Sequence, residues 1–182
     1  MGSRPVEFSD VLQRITPVEG WTFPEECYVL AGLAYGKRVV EIGSFKGRSA
    51  VAMAPYAKSL VCVDHFQPLE HAQGFGGESV LAEFEKNVAP WKDKVRVVSS
   101  PSGELQPDLF GGGIGLVFID GNHDYESVKA DLRIAAALPR GTVVAMHDYW
   151  NPEFPDVAKA AGEVKNMLPI LTAFSLQVFV LT

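Results

Sequence analysis

The fold of this chain is constrained most by short apolar segments that recur along its 182 residues. Each segment has the length of a strand and is rich in Val, Ile, Leu or Phe, without the alternation of a half-exposed strand. Continuous apolarity is typical of parallel strands that helices cover on both faces. The segments are Arg38–Ile42, Ser59–Asp64, Val95–Ser99, 115–120 and 142–147.

Helical patterns lie between these segments. The clearest begins after Asp124, which is placed to cap the helix, and it has one apolar stripe with charged side chains at the other positions. The alternation of strands and helices predicts right-handed crossovers and a doubly wound sheet. The apolar stripe consists of Tyr125, Val128, Leu132 and Ala135.

The two ends of the chain depart from this alternation. Near the carboxyl end, the apolar segments 170–174 and Leu176–Leu181 are separated by a single residue, so they must form an antiparallel pair. Near the amino end, Thr22 and Glu25 resemble a capping box with Pro24 as the first helical residue. We therefore expect a helix ahead of the first strand.

The chain has no internal repeat, low-complexity tract or linker, which favours one domain over residues 1–182. We expect an amino-terminal helical segment over 1–37 and a Rossmann-like core over 38–182. The expected fold class is α/β, a doubly wound and mostly parallel sheet with helices on both faces and an antiparallel carboxyl-terminal strand.

Composition and charge limit the classes of function. The formal net charge is −6 and no stripe of Lys or Arg is present, which disfavours nucleic acid as the main partner. No apolar run approaches the ~20 residues of a membrane helix, so we expect no membrane role. No secretory signal is visible, and we predict a cytoplasmic protein. Cys27 and Cys62 lack metal-ligand spacing and are predicted to be buried free thiols.

The most informative segment for function is an apolar strand that runs into two glycines and then a helix. Gly43 lets the chain turn where a Cβ would clash, and Gly47 lets the helix approach closely. The amino end of that helix offers N–H groups to an acidic ligand. Glu41 ends the buried strand and requires a cationic or hydrogen-bonding partner. Asp64 ends the second strand, 21 positions after Gly43, the spacing at which an acid meets the ribose of a nucleoside cofactor.

The spacing of the glycines indicates which classes of nucleotide cofactor the loop can bind. Dehydrogenases carry G-x-G-x-x-G, but here Phe45 replaces the middle glycine, which normally makes space for a pyrophosphate. A Walker loop is also disfavoured, because three residues instead of four separate Gly43 from Gly47 and the lysine is missing. An NAD-linked oxidoreductase and a non-catalytic nucleoside-binding module are the alternatives to the interpretation that follows.

The segment 41–47 (EIGSFKG) resembles the first motif of class I S-adenosylmethionine-dependent methyltransferases, an acid followed by glycines at this spacing. The segments 118–125 (FIDGNHDY) and 146–149 (MHDY) resemble the methyltransferase domain 24-like branch, which includes sugar and small-molecule O-methyltransferases. The likeness covers nearly the whole chain. It implies seven strands, with the last antiparallel to its neighbours, and methylation of a small-molecule or sugar hydroxyl.

This resemblance also implies where S-adenosyl-L-methionine binds. Gly43, Ser44 and Gly47 should follow the methionine part, and Glu41 should lie near its ammonium or order the loop. The ribose should meet Asp64, and the adenine should lie near residues 99–102, a segment that lacks the acid often found after the third strand. The expected cofactor contacts are Glu41, Gly43, Ser44, Gly47, Ser49, Asp64, His65, Ser100 and Asp120.

The predicted reaction centre lies at the ends of the fourth and fifth strands. Asp120 and His123 follow the fourth strand and Asp148 follows the fifth, so these side chains can converge at one edge of the sheet. Methyl transfer to a hydroxyl requires alignment of the reactants and removal of a proton, which suits a histidine. In similar sugar O-methyltransferases the histidine of this motif is the base. We therefore predict His123 as general base, with Asp120 as the second catalytic residue.

Related enzymes often use the acids at these strand ends to hold Mg²⁺, which clamps the acceptor oxygens and lowers a hydroxyl pKa. Asp120 and Asp148 match that arrangement. His147 stands where a second acid is common, and imidazole suits softer metals. The predicted metal ligands are Asp120, His147 and Asp148, for Mg²⁺ or another divalent ion; capping of the turns is the alternative role of the acids.

Two segments are candidates to surround a small-molecule acceptor. The stretch 65–78 is long for a strand-to-helix loop and is predicted to form a lid. Tyr149, Trp150 and Phe154 follow the fifth strand and offer an apolar wall. Because the short chain leaves little room for an acceptor domain, a homo-oligomer is the predicted source of further walls.

Overall fold

The computed structural model describes residues 5–67 and 79–182. Within these residues the helices are α1 Phe8–Ile15, α2 Pro24–Ala34, α3 Arg48–Met53, α4 Val80–Val88, α5 Tyr125–Ala136 and α6 Pro155–Ala161. The strands are β1 Arg38–Ile42, β2 Ser59–Asp64, β3 Val95–Ser99, β4 Ile114–Ile119, β5 Val143–Met146, β6 Met167–Ala173 and β7 Leu176–Leu181. Short 3₁₀ turns lie at Ala89–Trp91, Ser102–Glu104 and Pro107–Phe110.

The strands form one sheet in the order β3-β2-β1-β4-β5-β7-β6. The neighbours among β1 to β5 are parallel, whereas β7 is antiparallel to both β5 and β6. The predicted α/β, Rossmann-like sheet with an antiparallel carboxyl end is therefore confirmed. The bounds of β1, β2, β3 and β7 are as predicted. β6 begins at Met167 instead of at residue 170, because its pairing with β7 extends beyond the apolar segment.

Successive side chains of each strand pack into two hydrophobic cores, one on each face of the sheet. In β1, Val39 packs with the side chains of α1 to α4, and Val40 packs with those of α5 and α6. Both valines are fully buried. Because a strand's side chains point alternately to its two faces, a sheet covered on both faces requires apolar residues at consecutive positions.

The order of the strands reverses between β1 and β4, and this reversal opens a crevice at their carboxyl ends. The Asp120 N–H donates to the Ile42 carbonyl at 2.7 Å, and the His147 N–H donates to the Ile119 carbonyl at 3.0 Å. These bonds continue the sheet beyond the strands. They bring the loops after β1, β4 and β5 to one edge.

Helix α2 begins at Pro24 as predicted, but the predicted cap is wrong by one residue. The N-cap is Phe23 instead of Thr22. The acid that closes the first turn is Glu26 instead of Glu25, since a carboxylate oxygen of Glu26 accepts a hydrogen bond from the Phe23 N–H at 2.9 Å. Glu26 thereby enters the interior at the edge where the crevice lies.

Other local predictions agree with the structure. Asp124 caps α5 and accepts a hydrogen bond from the Ser127 N–H at 3.1 Å. Cys27 and Cys62 are buried free thiols. Within the described part of the chain, no helix combines the length and the apolarity that crossing a lipid bilayer requires.

Candidate active site

A cavity of about 1050 Å³ opens at the carboxyl ends of the parallel strands. Its walls come from the loops after β1 to β5 and from residues 19–23, which precede α2. Typical small-molecule pockets measure roughly 300 to 1000 Å³, so this one has room for a cofactor and an acceptor together. The predicted cofactor residues that line it are Gly43, Ser44, Ser49, Asp64, His65, Ser100 and Asp120, while Glu41 and Gly47 are buried behind its wall.

The two glycines after β1 have backbone conformations that side chains rarely adopt. Gly43 has φ +86°, and a Cβ there would collide with the Asp120 carbonyl. Gly47 has φ +89°, and a Cβ there would lie 3.1 Å from the Phe84 ring on α4. Glycine therefore lets the loop after β1 pass against the loop after β4, and lets α3 begin against α4.

Glu41 finds its partners inside the glycine loop. The hydroxyl of Ser44 donates to one carboxylate oxygen at 2.7 Å, and the hydroxyl of Ser49 donates to the other at 2.6 Å. Glu41 is fully buried, and this burial outweighs both hydrogen bonds and raises its pKa to about 7. Of the two predicted roles of Glu41, this geometry favours ordering of the loop over contact with the ligand.

The raised pKa of Glu41 predicts a dependence of stability on pH. An unfolded Glu ionises near its ordinary pKa of 4.5, whereas folded Glu41 ionises near 7. Folding is therefore opposed increasingly as the pH rises from 4.5 to 7, by on the order of 3 kcal/mol in total. In urea unfolding, Glu41→Gln should gain stability relative to the wild type across this window. The exposed Glu85→Gln is the control. If the difference in stability between Glu41→Gln and the wild type did not change with pH, the prediction would be contradicted.

Asp64 also organises the glycine loop. Its Oδ2 accepts hydrogen bonds from the N–H groups of Ser44 and Phe45 at 2.9 and 2.8 Å, and its Oδ1 accepts one from the Phe66 N–H at 2.6 Å. These two N–H groups belong to the glycine loop, whereas the N–H groups that the sequence offered to a ligand are those at the amino end of α3, which begins at Arg48. Both lone pairs of Oδ2 are used, but Oδ1 keeps one, and Asp64 lines the cavity, so the predicted ribose contact is compatible with this role.

Asp64→Ala is expected to weaken the binding of S-adenosylhomocysteine by about 1.5 to 3 kcal/mol, the range for a hydrogen bond to a charged group. Loss of the loop-ordering bonds acts in the same direction. Calorimetric titration measures the affinity, with the exposed Asp93→Asn as control. An affinity equal to that of the wild type would refute the ribose role.

The far end of the cavity lies between the loop after β3 and the first turns of α5. Ser100 and Ser102 line it from one side, and Ser127 and Ala130 line it from the other. His65 is partly exposed at the cavity, and its Nδ1 accepts a hydrogen bond from the Gln67 N–H at 2.9 Å. Residues 68–78, which include most of the predicted lid, lie outside the described residues.

Asp120, His123, His147 and Asp148 converge at the carboxyl ends of β4 and β5. Nδ1 of His147 lies 3.1 Å from Asp120 Oδ1 and 3.0 Å from Asp148 Oδ2. Nε2 of His123 lies 3.1 Å from the same oxygen of Asp148, at ion-pair distance but outside hydrogen-bond geometry. The His123 ring stacks on Phe154 with 4.0 Å between centroids. All of these side chains line the cavity.

Glu26 completes this cluster, and the sequence analysis missed it. Its Oε2 lies 3.0 Å from His147 Nε2. Its Oε1 accepts hydrogen bonds from the N–H and O–H of Ser175 at 2.9 and 2.8 Å, and from the Leu176 N–H at 3.1 Å. Glu26 therefore joins α2, the β6–β7 turn and His147. An acid within an apolar helix that requires a partner was the available signal, as it was for Glu41.

The surrounding carboxylates hold His147 as a cation. Burial alone lowers the pKa of His147, but Asp120, Asp148 and Glu26 outweigh it and raise the pKa to about 12. Burial raises the pKa of Asp120, although the neighbouring His147 lowers it. Burial alone would raise the pKa of Asp148, but the neighbouring His123 and His147 side chains outweigh it and hold the pKa well below its usual range. The centre thus contains a fixed imidazolium beside an ionised Asp148.

The positive charge on His147 argues against its predicted role as a metal ligand. An imidazolium with both ring nitrogens turned to carboxylates has no lone pair for a metal, so His147 does not fit as a ligand. Potential donor atoms of Asp120, His123 and Asp148 lie within 4.8 Å of one another. Mg²⁺ prefers octahedral oxygen ligands, and two carboxylates with an imidazole, beside a cation, fit that preference poorly.

The fold and the site together define a class of protein. The strand order, the glycine loop after β1 and the acid after β2 are those of class I methyltransferases. A family model described as a methyltransferase domain matches residues 40–149. The chain belongs to this methyltransferase family.

Two curated proteins match parts of the chain. Catechol O-methyltransferase of Mycobacterium tuberculosis is 34% identical over 122 residues, which are 66% of this chain and 51% of that protein. An uncharacterised protein of Sinorhizobium fredii, y4gI, is 32% identical over 120 residues, which are 62% of this chain and 13% of that protein. The matches thus span about half of one relative and a small part of the other.

Solved structures share the fold at low sequence identity. CalS11, a TDP-rhamnose 3'-O-methyltransferase of calicheamicin biosynthesis, is 18% identical with a TM-score of 0.65, covering 97% of this chain and 81% of that chain. The methyltransferase PaMTH1 of Podospora anserina, solved with S-adenosylhomocysteine bound, is 15% identical with a TM-score of 0.68, covering 98% and 89%. At these identities the likeness concerns the fold alone.

Proposed function

We propose that this protein transfers a methyl group from S-adenosyl-L-methionine to a hydroxyl group of a small molecule or sugar. The observation that carries the proposal is the presence of two elements in one cavity, the glycine loop after β1 and the histidine–carboxylate cluster after β4 and β5. The first suits a nucleoside cofactor, and the second suits removal of a proton from an acceptor. Family membership supports the class of reaction.

In this proposal the cofactor lies along the edge of the sheet from the glycine loop to the far end of the cavity. Its methionine part follows Gly43 and Ser44, its ribose meets Asp64, and its adenine lies near Ser100. The methyl group then faces the space in front of Asp120. These contacts are compatible with the lining of the cavity and with the cofactor class of the family.

His123 is the proposed general base. With Nε2 turned toward Asp148 at 3.1 Å, the other ring nitrogen is left to accept a proton from the acceptor hydroxyl. The stacked Phe154 ring fixes the plane of the imidazole. The ionised Asp148 favours the imidazolium that forms on proton transfer, as a carboxylate does beside the histidine of a catalytic triad.

The acceptor is proposed to enter between two apolar walls in front of His123. Trp21 and Phe23 line the cavity from the amino-terminal side, and Phe154 lines it after β5. Trp21 packs on Phe45 and Phe23 stacks on Phe174, and the two side chains are 59% and 51% exposed at the cavity. An apolar wall beside a few polar groups is typical of sites for small organic molecules.

We further propose that turnover does not depend on a tightly bound divalent metal, although Mg²⁺ was the sequence expectation. The His147 imidazolium already supplies positive charge between Asp120 and Asp148. Methyl transfer by the purified protein should therefore survive treatment with EDTA. Loss of at least tenfold of the activity, with recovery on addition of Mg²⁺ or Mn²⁺, would contradict this proposal and assign a metal to Asp120, His123 and Asp148.

Calorimetric titration with S-adenosylmethionine and separately with NAD tests the class of cofactor. Binding of the former alone is expected, followed by methylation in a screen of hydroxylated acceptors with labelled methyl donor. Binding of NAD alone would favour the oxidoreductase. Cofactor binding without transfer to any acceptor would favour the non-catalytic nucleoside-binding module.

Assembly and domain organisation are proposals as well. We propose that residues 1–182 act as one catalytic domain and associate with a second copy. The edge strand β6 exposes Leu168, Ile170 and Leu171, which is unusual for a monomer surface. Light scattering that shows a monomer at working concentration would contradict this association. The cytoplasmic location stays a prediction.

A further inference from the structure

Arg48 is the first residue of α3, directly after the glycine loop, and its side chain lines the cavity. The guanidinium donates hydrogen bonds to three backbone carbonyls: Nη1 to those of Ile15 and Val18 at 2.8 Å each, and Nε to that of Thr22 at 2.9 Å. These carbonyls lie in the strap, residues 15–23, which runs from the end of α1 to the N-cap of α2. Because the donors of an arginine form a rigid planar fork, this one side chain fixes the strap at three points.

Two side chains of the glycine loop also hold the strap. Lys46 Nζ lies 2.8 Å from Glu19 Oε2, and the rings of Phe45 and Trp21 pack with 4.9 Å between their centroids. Lys46 is only 5% exposed and pairs as well with Glu83 on α4 at 2.9 Å, so the ion pair with the strap is anchored in the interior. The strap is therefore attached to the same loop that the methionine part of the cofactor follows in the proposed function.

Trp21 is the strap residue whose two neighbours both contact Arg48. The carbonyl of Thr22, which follows it, accepts the hydrogen bond from Nε. Gly20, which precedes it, lies so close that an added Cβ would be 2.9 Å from Arg48 Cβ and 3.0 Å from Cδ. The indole itself lines the cavity and is 59% exposed. An aromatic side chain that is held in place before binding loses little conformational entropy when a ligand packs on it.

We propose that Arg48 is a positioning residue of the acceptor site and that it acts through Trp21. This inference rests on the proposed function, in which Trp21 belongs to the amino-terminal wall in front of His123. Because Arg48 fixes the strap to the start of α3, it sets the distance between that wall and the glycine loop. The acceptor wall and the cofactor loop therefore form one rigid unit, and a shift of the strap should weaken acceptor binding without changing the cofactor contacts.

Gly20→Ala tests the proposal without removing a hydrogen-bond donor. Because α3 fixes the Cβ of Arg48, the strap has to move away from it, and Trp21 moves with the strap. At saturating S-adenosylmethionine, KM for an acceptor found by screening should rise at least about tenfold while kcat changes less than about threefold, since a binding contact is lost and the base is kept. The affinity for S-adenosylhomocysteine, measured by calorimetry, should stay within about threefold of the wild type. Gly32→Ala on α2, where an added Cβ meets no neighbouring element within 4 Å, is the matched control.

Arg48→Lys supplies the second arm. A lysine keeps the positive charge but ends in a single ammonium, which cannot reach three separate carbonyls, so KM for the acceptor should rise as in Gly20→Ala. The exposed Arg140→Lys is the control and should keep the wild-type KM. In a Trp21→Ala background, Gly20→Ala should raise KM by less than about threefold, because the side chain through which Arg48 acts is already gone.

If Arg48 only stabilised the fold, Gly20→Ala would weaken acceptor and cofactor binding alike, or would have its full effect in the Trp21→Ala background. Either result, or a wild-type KM in Gly20→Ala, would overturn this inference while the proposed function stands. Gly20→Ala decides the question if Arg48→Lys does not fold. Failure of the wild-type protein to bind S-adenosylhomocysteine, or to methylate any acceptor, would overturn the proposed function and this inference with it.

Discussion

Replacement of His123 with alanine is expected to lower turnover by about 10²- to 10⁴-fold, the usual contribution of a positioned general base. The affinity for S-adenosylhomocysteine should not change, since the ring faces the acceptor side of the cavity and contacts Phe154 and Asp148. Single-turnover methylation of an acceptor found by screening measures the chemical step, and calorimetry measures the affinity.

If His123 had only a structural role, its variants would show a different pattern of rate, affinity and stability. Loss of the ring from its stack on Phe154 would then lower the melting temperature and the cofactor affinity together with the rate. His123→Asn keeps a polar side chain without a base and should be as slow as the alanine variant. Added imidazole should restore part of the rate in His123→Ala. Full activity in either variant would remove His123 as the base.

Replacement of Glu26 with glutamine is expected to lower the free energy of unfolding by about 3 kcal/mol, the low end for breaking a buried ion pair. The carboxylate accepts from Ser175, Leu176 and Phe23 and faces His147, whereas an amide cannot accept at both of its ends. The loss is limited because Asp120 and Asp148 still face His147. Urea unfolding measures the effect.

Glu25 provides the control for this substitution. It lies on the same turn of α2 but is exposed, so Glu25→Gln should change stability by less than about 0.5 kcal/mol. A similarly small effect of Glu26→Gln would show that the buried ion pair makes no net contribution to the free energy of unfolding. Glu26→Gln should also slow methyl transfer, because displacement of His147 moves Asp148 and with it His123.

The proposed independence of turnover from metal follows from the charges of the histidine–carboxylate cluster. In a site of acids alone, mutual repulsion favours a bound cation. Here the chain supplies that cation itself, since His147 lies between two carboxylates at the sheet edge and a third on α2. The pKa of about 12 for His147 means that this charge persists throughout the physiological range.

Local patterns in the sequence predicted the strands and a doubly wound, mostly parallel sheet with an antiparallel carboxyl end. Apolar segments such as Ser59–Asp64 are local signals, and the single residue between the apolar segments 170–174 and Leu176–Leu181 permitted only an antiparallel turn. The roles of Gly43 and Gly47 could be predicted because a tight turn restricts the residue type whatever the rest of the fold. Asp124 was found because a helix cap acts on an N–H group three residues away.

Contacts between polar side chains depend on how distant segments pack together in the folded chain. Glu26 lies 121 residues from His147 in the chain, so no local pattern could pair them. The predicted role of His147 as a metal ligand also depends on such contacts, since Asp120, Asp148 and Glu26 together set its charge. Backbone structure follows from short-range sterics and apolar periodicity, whereas the charge of a buried side chain depends on all the elements packed around it.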